Sequence, residues 1–393
     1  MKGNAPGSDK GRATTGTAGK NPLDSVRPSR IVWPVLIGLL VVGWMFYRDF
    51  DPKVFDSVHF TWGSVFWLFM AVMFMVGRDL GYIIRIRVLS RGALTWKKAF
   101  RVIMLWEATS AITPSAVGGT SVAILYVHKE GIGLGKSSAI VMLTSFLDEL
   151  YFAIMFPLLI WIVSAGNLFN ISLQSGGLET GLKVFALTGY FLKLAWVLLL
   201  AYGLFINPKG FKWLLEKVFG LRFLRRWRES ASKVGDEIIE SSKEIKGSSF
   251  GFWMKAFWST FLSWSSRYLV ANALIMAFFA VSDQFLLFAR QLVMWIMMLI
   301  MPTPGGSGFA EIIFSKYCAD LISVPLAMQV SAATLIAFLW RGVTYYPYLI
   351  AGAIIFPNWL KRSFKWKKKG EKEEEEEEAK TAPAATEGDT PQS

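Results

Sequence analysis

Apolar runs of bilayer length recur along this chain and restrict its fold more than any other feature. They lie near residues 31–47, 137–164, 184–206, 252–280 and 326–356, and another starts near Trp62 and runs past Gly77. A helix needs roughly 20 apolar residues to cross the hydrocarbon core. Within lipid every backbone N–H and C=O must be satisfied internally, so runs of this kind read as helices. Charged residues make up only 18% of the chain, where soluble domains carry about 25%, and 53% of residues are hydrophobic. These features predict an all-α polytopic membrane protein.

Two apolar stretches are broken. The first contains Thr113-Pro114-Ser115-Ala116-Val117-Gly118-Gly119 and the second Met301-Pro302-Thr303-Pro304-Gly305-Gly306-Ser307-Gly308. Proline removes a backbone donor and clashes with the preceding turn, and paired glycines make irregular backbone cheap. Such a break persists at membrane depth only if protein buries it or it lines a cavity. Paired breaks in corresponding halves of a chain point to a binding site.

Loop charge sets the direction of each segment. The formal net charge of +13 comes from basic residues beside apolar spans. That is the pattern of cytoplasmic loops on anionic leaflets rather than of nucleic-acid binding. Lys20, Arg27 and Arg30 precede the first span, whereas Asp49, Asp51 and Asp56 follow it. The second span returns to Arg85, Arg87, Arg91, Lys97 and Lys98, and Lys129 and Lys136 flank the next turn. Segment 100–128 therefore enters and leaves on the same face, as a re-entrant hairpin with its tip at the first break. By the same parity, segment 285–321 is a second hairpin entering from the opposite face. The expected fold is an inverted-topology repeat of about six full spans plus two re-entrant helical hairpins, about eight membrane segments. Its halves cover about 31–165 and 183–356, and both termini are cytoplasmic. The alternative counts each hairpin as two short full spans, giving ten.

Segment 208–247 is not a span. Phe211, Trp213, Leu214, Leu215, Val218 and Phe219 alternate there with Lys212, Lys217, Arg222 and Arg225, which suits an amphipathic helix in the cytoplasmic headgroup region. Beyond Arg228 a solvated mixed-charge helix is expected. Residues 1–30 read as a disordered cytoplasmic tail, and residues 357–393 as a basic, then acidic, disordered tail.

Ionisable residues at membrane depth are the candidate site. A charge near the centre of a span costs about 2.5–3.5 kcal/mol on insertion scales, so it faces a partner or a wet cavity. Arg78 and Asp79 interrupt the second span, and Asp148 and Glu149 the fourth segment. Lys193, Arg267 and Arg341 are central in theirs, and Glu107 and Glu311 lie on hairpin arms. Arg78 is 35 residues before Thr113 and Arg267 is 36 before Thr303, while Asp148 is 35 after Thr113 and Arg341 is 38 after Thr303. One reading pairs Asp148 or Glu149 with Arg341 or Arg267 to lock helices together. The other has Arg267 or Arg341 hold an anion, since the guanidinium fork suits phosphate. In that reading Pro114, Pro302, Pro304 and Gly305 shape the breaks, and helix N-termini after Gly119 and Gly306 add backbone donors. Asp148 and Glu149 are about 100° apart on a helix, so only one is expected to face the cavity. Thr113, Ser115, Thr120, Ser121, Thr303 and Ser307 are weaker candidates, because hydroxyls also satisfy broken backbone.

Other chemistries find little support. His59 and His128 stand alone, Cys318 is the single cysteine, and no metal-ligand cluster, P-loop, Gly-x-Ser-x-Gly or His-Glu-x-x-His occurs. No metal or cofactor is expected.

The two broken stretches carry a resemblance. Thr113-Pro114-Ser115-x-x-Gly118-Gly119, followed by Lys129-Glu130-Gly131, resembles the first signature of the lysylphosphatidylglycerol synthase transmembrane-region family, also called flippase-like. Pro302-Thr303-Pro304-Gly305-Gly306-x-Gly308 with Glu311 is similar to the second, and Arg341 with Tyr345 to the motif of the last span. The resemblance covers about residues 31–356. It implies a multi-pass protein of the bacterial inner membrane that handles phospholipids or other lipid-linked anions, with these motif residues at the substrate. In the name-giving synthases a separate soluble domain makes the aminoacylated lipid. Here residue 356 is followed by a low-complexity tail, so synthase activity is not implied. Thr120-Ser121 and Asp148-Glu149 depart from family members with Glu and Arg after the first break, or an acidic-Arg pair in the next helix.

Three functions follow as expectations. The leading one is transport or binding of an anionic phospholipid or lipid-linked substrate. The others are a membrane-embedded lipid-modifying enzyme with Asp148 or Glu149 as base, and an accessory subunit for a separately encoded synthase or glycosyltransferase.

Overall fold

The computed structural model describes residues 51–58, 60–113, 116–169, 176–221, 225–298 and 308–357, with isolated positions at 40, 43, 44, 47 and 359. The expected first span at 31–47 lies almost wholly outside them. So do both tails, Pro114, Ser115 and the second tip from Pro302 through Thr303, Pro304, Gly305 and Gly306 to Ser307.

The described residues fold as helices. They are α1 (Trp62–Leu89), α2 (Trp96–Ile112), α3 (Ala116–Lys129), α4 (Leu134–Val163), α5 (Ala165–Phe169) and α6 (Gly176–Ala201), which runs into a π-turn at Tyr202–Ile206. Then come α7 (Pro208–Val218), α8 (Arg228–Ile245), α9 (Phe250–Phe278), α10 (Gln284–Met298), α11 (Phe309–Tyr317) and α12 (Leu326–Thr344). After a turn at Tyr345, α12 continues to Pro357. By length and composition α1, α4, α12 and the Lys183–Ile206 part of α6 can cross a membrane. The 29-residue α9 is as long but carries serines on the face it buries.

Helix α1 shows why. Thr61 and Ser64 form a reciprocal cap at its start, and Arg91 and Gly92 adopt positive φ just past its end. Phe66, Phe69, Val72, Met73, Val76 and Leu80 are exposed along one side, an apolar stripe suited to lipid. The opposite side meets α9 at close range. A Cβ on Gly81 would stand 2.7 Å from the carbonyl oxygen of Ser259 and 2.8 Å from the backbone nitrogen of Ser263. Small residues draw helix backbones together in lipid, where no hydrophobic force between helices is available. The two helices run antiparallel: Gly77 lies on Ser266, Gly81 on Ser263, and Arg91 stacks on Phe252.

Both broken stretches are hairpins. In the first, Arg101 on α2 meets Glu130 beyond α3 at 2.5 Å, Lys98 donates to the Glu130 carbonyl at 2.7 Å, and Thr109 bonds Tyr126 at 2.6 Å. Gly119 packs directly on Ser110, leaving no room for a side chain. In the second, Val281 and Ile322 form an antiparallel bridge at the base. Arg290 on α10 donates to the Tyr317 carbonyl at 2.7 Å and to Asp320 at 2.5 Å. At 17 residues, α2 is about 25 Å long, against about 42 Å for the 28 residues of α1.

The elements recur at a fixed spacing. Trp62 and Phe250 open α1 and α9, Trp96 and Gln284 open α2 and α10, and Lys129 and Tyr317 close α3 and α11, each pair 188 residues apart. Leu134 and Leu326, opening α4 and α12, are 192 apart.

Segment 208–245 forms a helical pair. Lys212 on α7 reaches Asp236 on α8 at 2.6 Å. Phe211, Leu215, Ala231, Ile238 and Ile245 are buried between this pair and the bundle, with Gly203 packed against Phe211. The expectation of a solvated helix beyond Arg228 is corrected accordingly: apolar residues at 231, 234, 238 and 245 recur at helical spacing and give α8 an inner face. Lys209, Lys217, Arg225, Arg226 and Arg228 remain exposed.

Candidate functional site

Residues one helical turn apart on α1 build the centre. Arg78, Tyr82 and Arg85 share the face turned to α9, and Arg78 and Arg85 are buried. Arg78 donates to Asp79 at 3.0 Å and to Glu107 on α2. Tyr348 on the last part of α12 donates to both Asp79 oxygens, at 2.8 and 2.9 Å. The Tyr82 ring lies against both Arg78 and Arg85, at 5.1 and 4.8 Å. Two guanidinium groups, Arg78 and Arg267, thus face two carboxylates, Asp79 and Glu107. Burying either sign alone would cost several kcal/mol, of order the desolvation penalty of an ion.

The arginines are not held alike. Arg85 donates to Asp148, Arg290 to Asp320 and Arg341 to Glu311. Arg267 makes no such bond. Its Nη2 donates to the Tyr82 hydroxyl at 3.3 Å and stands 3.8 Å from Glu107, beyond hydrogen-bond length. Its Nε is buried and has no partner. The indoles of Trp264 and Trp295 flank it at 4.9 and 4.8 Å. An arginine offers five donors, so Arg267 retains capacity for an anion.

The end of α2 and the start of α11 both meet α12. Gly308, at φ 84°, opens α11, and its N–H donates to Glu311 at 2.7 Å. Glu311 in turn accepts from Arg341 at 2.6 Å. One turn later, Tyr345 donates to the Ala111 carbonyl at the end of α2, at 3.0 Å. Arg341, Tyr345 and Tyr348 therefore connect the second tip, the first tip and the α1 cluster in succession.

The remaining expected site residues are placed as follows. Thr113 ends α2, its hydroxyl donating to the Thr109 carbonyl at 2.9 Å; it satisfies broken backbone. Gly118 and Ser121 lie in α3, and their surroundings are outside the described set. Asp148 and Glu149 do face different ways. Asp148 accepts from Arg85 and from the Trp264 indole at 2.6 Å, while Glu149 is bound by Lys193 on α6 at 2.7 Å. Neither pairs with Arg267 or Arg341, so that part of the locking expectation is corrected. At the start of α11 the Gly308 N–H is taken by the chain's own Glu311. Among the described residues no group of three His, Cys, Asp or Glu side chains could hold a metal.

Sequence reading overlooked Arg85, Tyr82, Tyr348, Trp264 and Trp295. Arg85 was grouped with the loop arginines at the end of α1, although its seven-residue spacing from Arg78 places both on one face. The aromatic partners carry no signal in a single sequence, because interfacial anchors have the same composition.

Comparison with known proteins fits this architecture. The pattern of the family described as the lysylphosphatidylglycerol synthase TM region matches residues 31–352. The chain belongs to this family. A UPF0104 membrane protein of Archaeoglobus fulgidus is 24% identical over 300 residues, covering 73% of this chain and 85% of that one. No solved structure matches. Family membership makes this a membrane protein.

Proposed function

We propose that the protein moves a phospholipid or lipid-linked anion across the membrane, with the phosphate held at Arg267. The observation that carries this reading is the Arg267 guanidinium, walled by two indoles, which has an unpartnered buried Nε and no carboxylate within hydrogen-bond length among the described residues of the cluster. Phosphate would accept through its oxygens from the donors that Arg267 has left. Tyr348 joins the cluster to the last helix, on which Tyr345 binds the end of α2 and Arg341 binds Glu311 at the start of α11.

The fixed 188-residue spacing and the antiparallel packing of α1 on α9 support an inverted repeat, and hairpin arms shorter than α1 support re-entrant segments. The basic turns at Arg87–Lys98, Lys129–Lys136 and Lys209–Arg228 mark the cytoplasmic end, and Asp51, Asp56 and Asp283 the outer end. In a bacterium this membrane is the inner one, with both termini cytoplasmic. The enzyme reading has less support, because Asp148 and Glu149 are each bound to a cation and neither is free to act as a base.

The test is transbilayer movement of a fluorescent phosphatidylglycerol in vesicles holding only this protein. Arg267→Gln should abolish movement while Arg267→Lys retains a fraction, with both variants folded. Unchanged movement in Arg267→Gln would remove the site. A change in lipid composition would favour an enzyme, and movement only after a synthase or glycosyltransferase is added would favour an accessory subunit.

A further inference from the structure

The two ends of the α1–α9 pair are built from equivalent residues, yet one is open and the other shut. At the Asp51 end a groove of about 620 Å³ lies between the start of α1, the end of α9 and the loop before α12. Trp67, Met276 and Phe279 form its wall, and Asp56, Thr61 and Ser323 its rim. At the Arg91 end the matching space is about 10 Å³, room for one water at most. Five of the nine residues around that space have their equivalent, 188 positions away, lining the groove. Leu89 matches Ala277, Arg91 matches Phe279, Glu244 matches Asp56, Ile245 matches Ser57, and Phe252 matches Ser64, while Lys136 on α4, at the 192-residue offset of α12, matches Met328.

What differs is a set of charged contacts present only at the shut end. Glu244, at the end of α8, pairs with Lys136 at 3.6 Å. Arg91 donates to the Glu244 carbonyl at 2.9 Å and to Ser248 at 3.1 Å. The equivalents Asp56, Met328 and Phe279 cannot form such a set, because two of the three are apolar. Asp56 has no ion pair among the described residues.

We propose that the groove and its shut counterpart are two ends of one lipid path, and that α8, latched through Glu244, closes the Arg91 end while the Asp51 end stands open. The occupant of the groove is a membrane phospholipid: an apolar wall meets a rim of hydroxyls, and the opening lies beside the lipid-facing stripe of α1. This deepens the transport reading and rests on it for the direction of movement. Release of the Glu244 latch opens the Arg91 end, and the Asp51 end closes by contact of its apolar wall, without a charged latch.

Accessibility of single cysteines tests this, in the full chain carrying Cys318→Ser and held in nanodiscs of phosphatidylethanolamine and phosphatidylglycerol. Ser323→Cys should react quickly with a polar maleimide and Ala139→Cys slowly. Adding Glu244→Gln, or separately Lys136→Gln, should raise the Ala139→Cys rate about two- to fivefold, the range of a partly exposed ion pair, and lower the Ser323→Cys rate by the population transferred. A rise at Ala139→Cys with no fall at Ser323→Cys would mean that α8 only frays, and would overturn the coupling. A photoreactive benzophenone on Ser323→Cys should yield phospholipid adducts. Adducts to residues 31–47 of the chain instead would overturn the lipid occupant. Reciprocal labelling without any lipid movement in vesicles would reject transport while leaving the coupled ends intact.

Discussion

The Tyr345 hydroxyl donates to the Ala111 carbonyl across 234 residues of sequence, and this bond joins the end of the first hairpin's leading arm to the last helix. Ala111 lies in the final turn of α2, where carbonyls lack helical partners. A side chain from the other half of the chain supplies the missing donor. One turn away, Arg341 does the corresponding service for the second tip through Glu311.

Tyr345→Phe should therefore loosen the first tip without unfolding the protein. A single neutral hydrogen bond contributes about 0.5–1.5 kcal/mol. Hydrogen exchange at residues 105–112 should accelerate roughly five- to tenfold in keeping with that figure, with exchange elsewhere unchanged. Uniform acceleration across all helices would contradict a local role.

Glu311 and Arg341 should behave as a unit. Both are buried, so removing one partner strands the other at a cost of about 3–5 kcal/mol. Glu311→Gln and Arg341→Gln should each lower thermal stability in detergent strongly, while the double variant loses much less than the sum. Additive losses would show that the pair is not coupled in the protein.

Glu149 and Lys193 offer a contrast, since they face away from the cluster. Replacing both with leucine should be close to neutral or stabilising, because well-packed apolar pairs often replace a buried ion pair without loss. Lipid movement should persist in that double variant. Its loss would bring Glu149 into the functional site.

Gly81→Leu should separate α1 from α9. Even a Cβ would meet Ser259 and Ser263 backbone at under 3 Å, and overpacking of this kind costs about 1–3 kcal/mol. Because these helices carry Arg78, Arg85 and Arg267, the variant should lose lipid movement more completely than it loses stability. Retained movement would show that the close approach is dispensable.

Much of the fold could be read from residues alone because the bilayer leaves few options. Span length marked α1, α4, α6 and α12. Pairing was less legible. Asp148 and Arg267 proved to be neighbours only through Trp264, which binds the carboxylate by its N–H and the guanidinium by its ring. Spacing along one chain gives depth in the membrane but not which helices are adjacent. The inner face of α8 was missed for a different reason: its charges are dense enough to hide four apolar residues at helical spacing.

The clamps at the base of the hairpins bear on how such a chain is made. Arg101 and Glu130 are 29 residues apart, and Arg290 and Asp320 are 30. Closing a short loop costs little entropy compared with a long one, so each hairpin can zip shut soon after it leaves the ribosome. Tyr345 and Ala111 have to wait for almost the whole protein. The arms are ready early, and the place where they meet is the last to be assembled. A nascent chain stopped before α12 would then hold two closed pairs of arms that nothing yet joins.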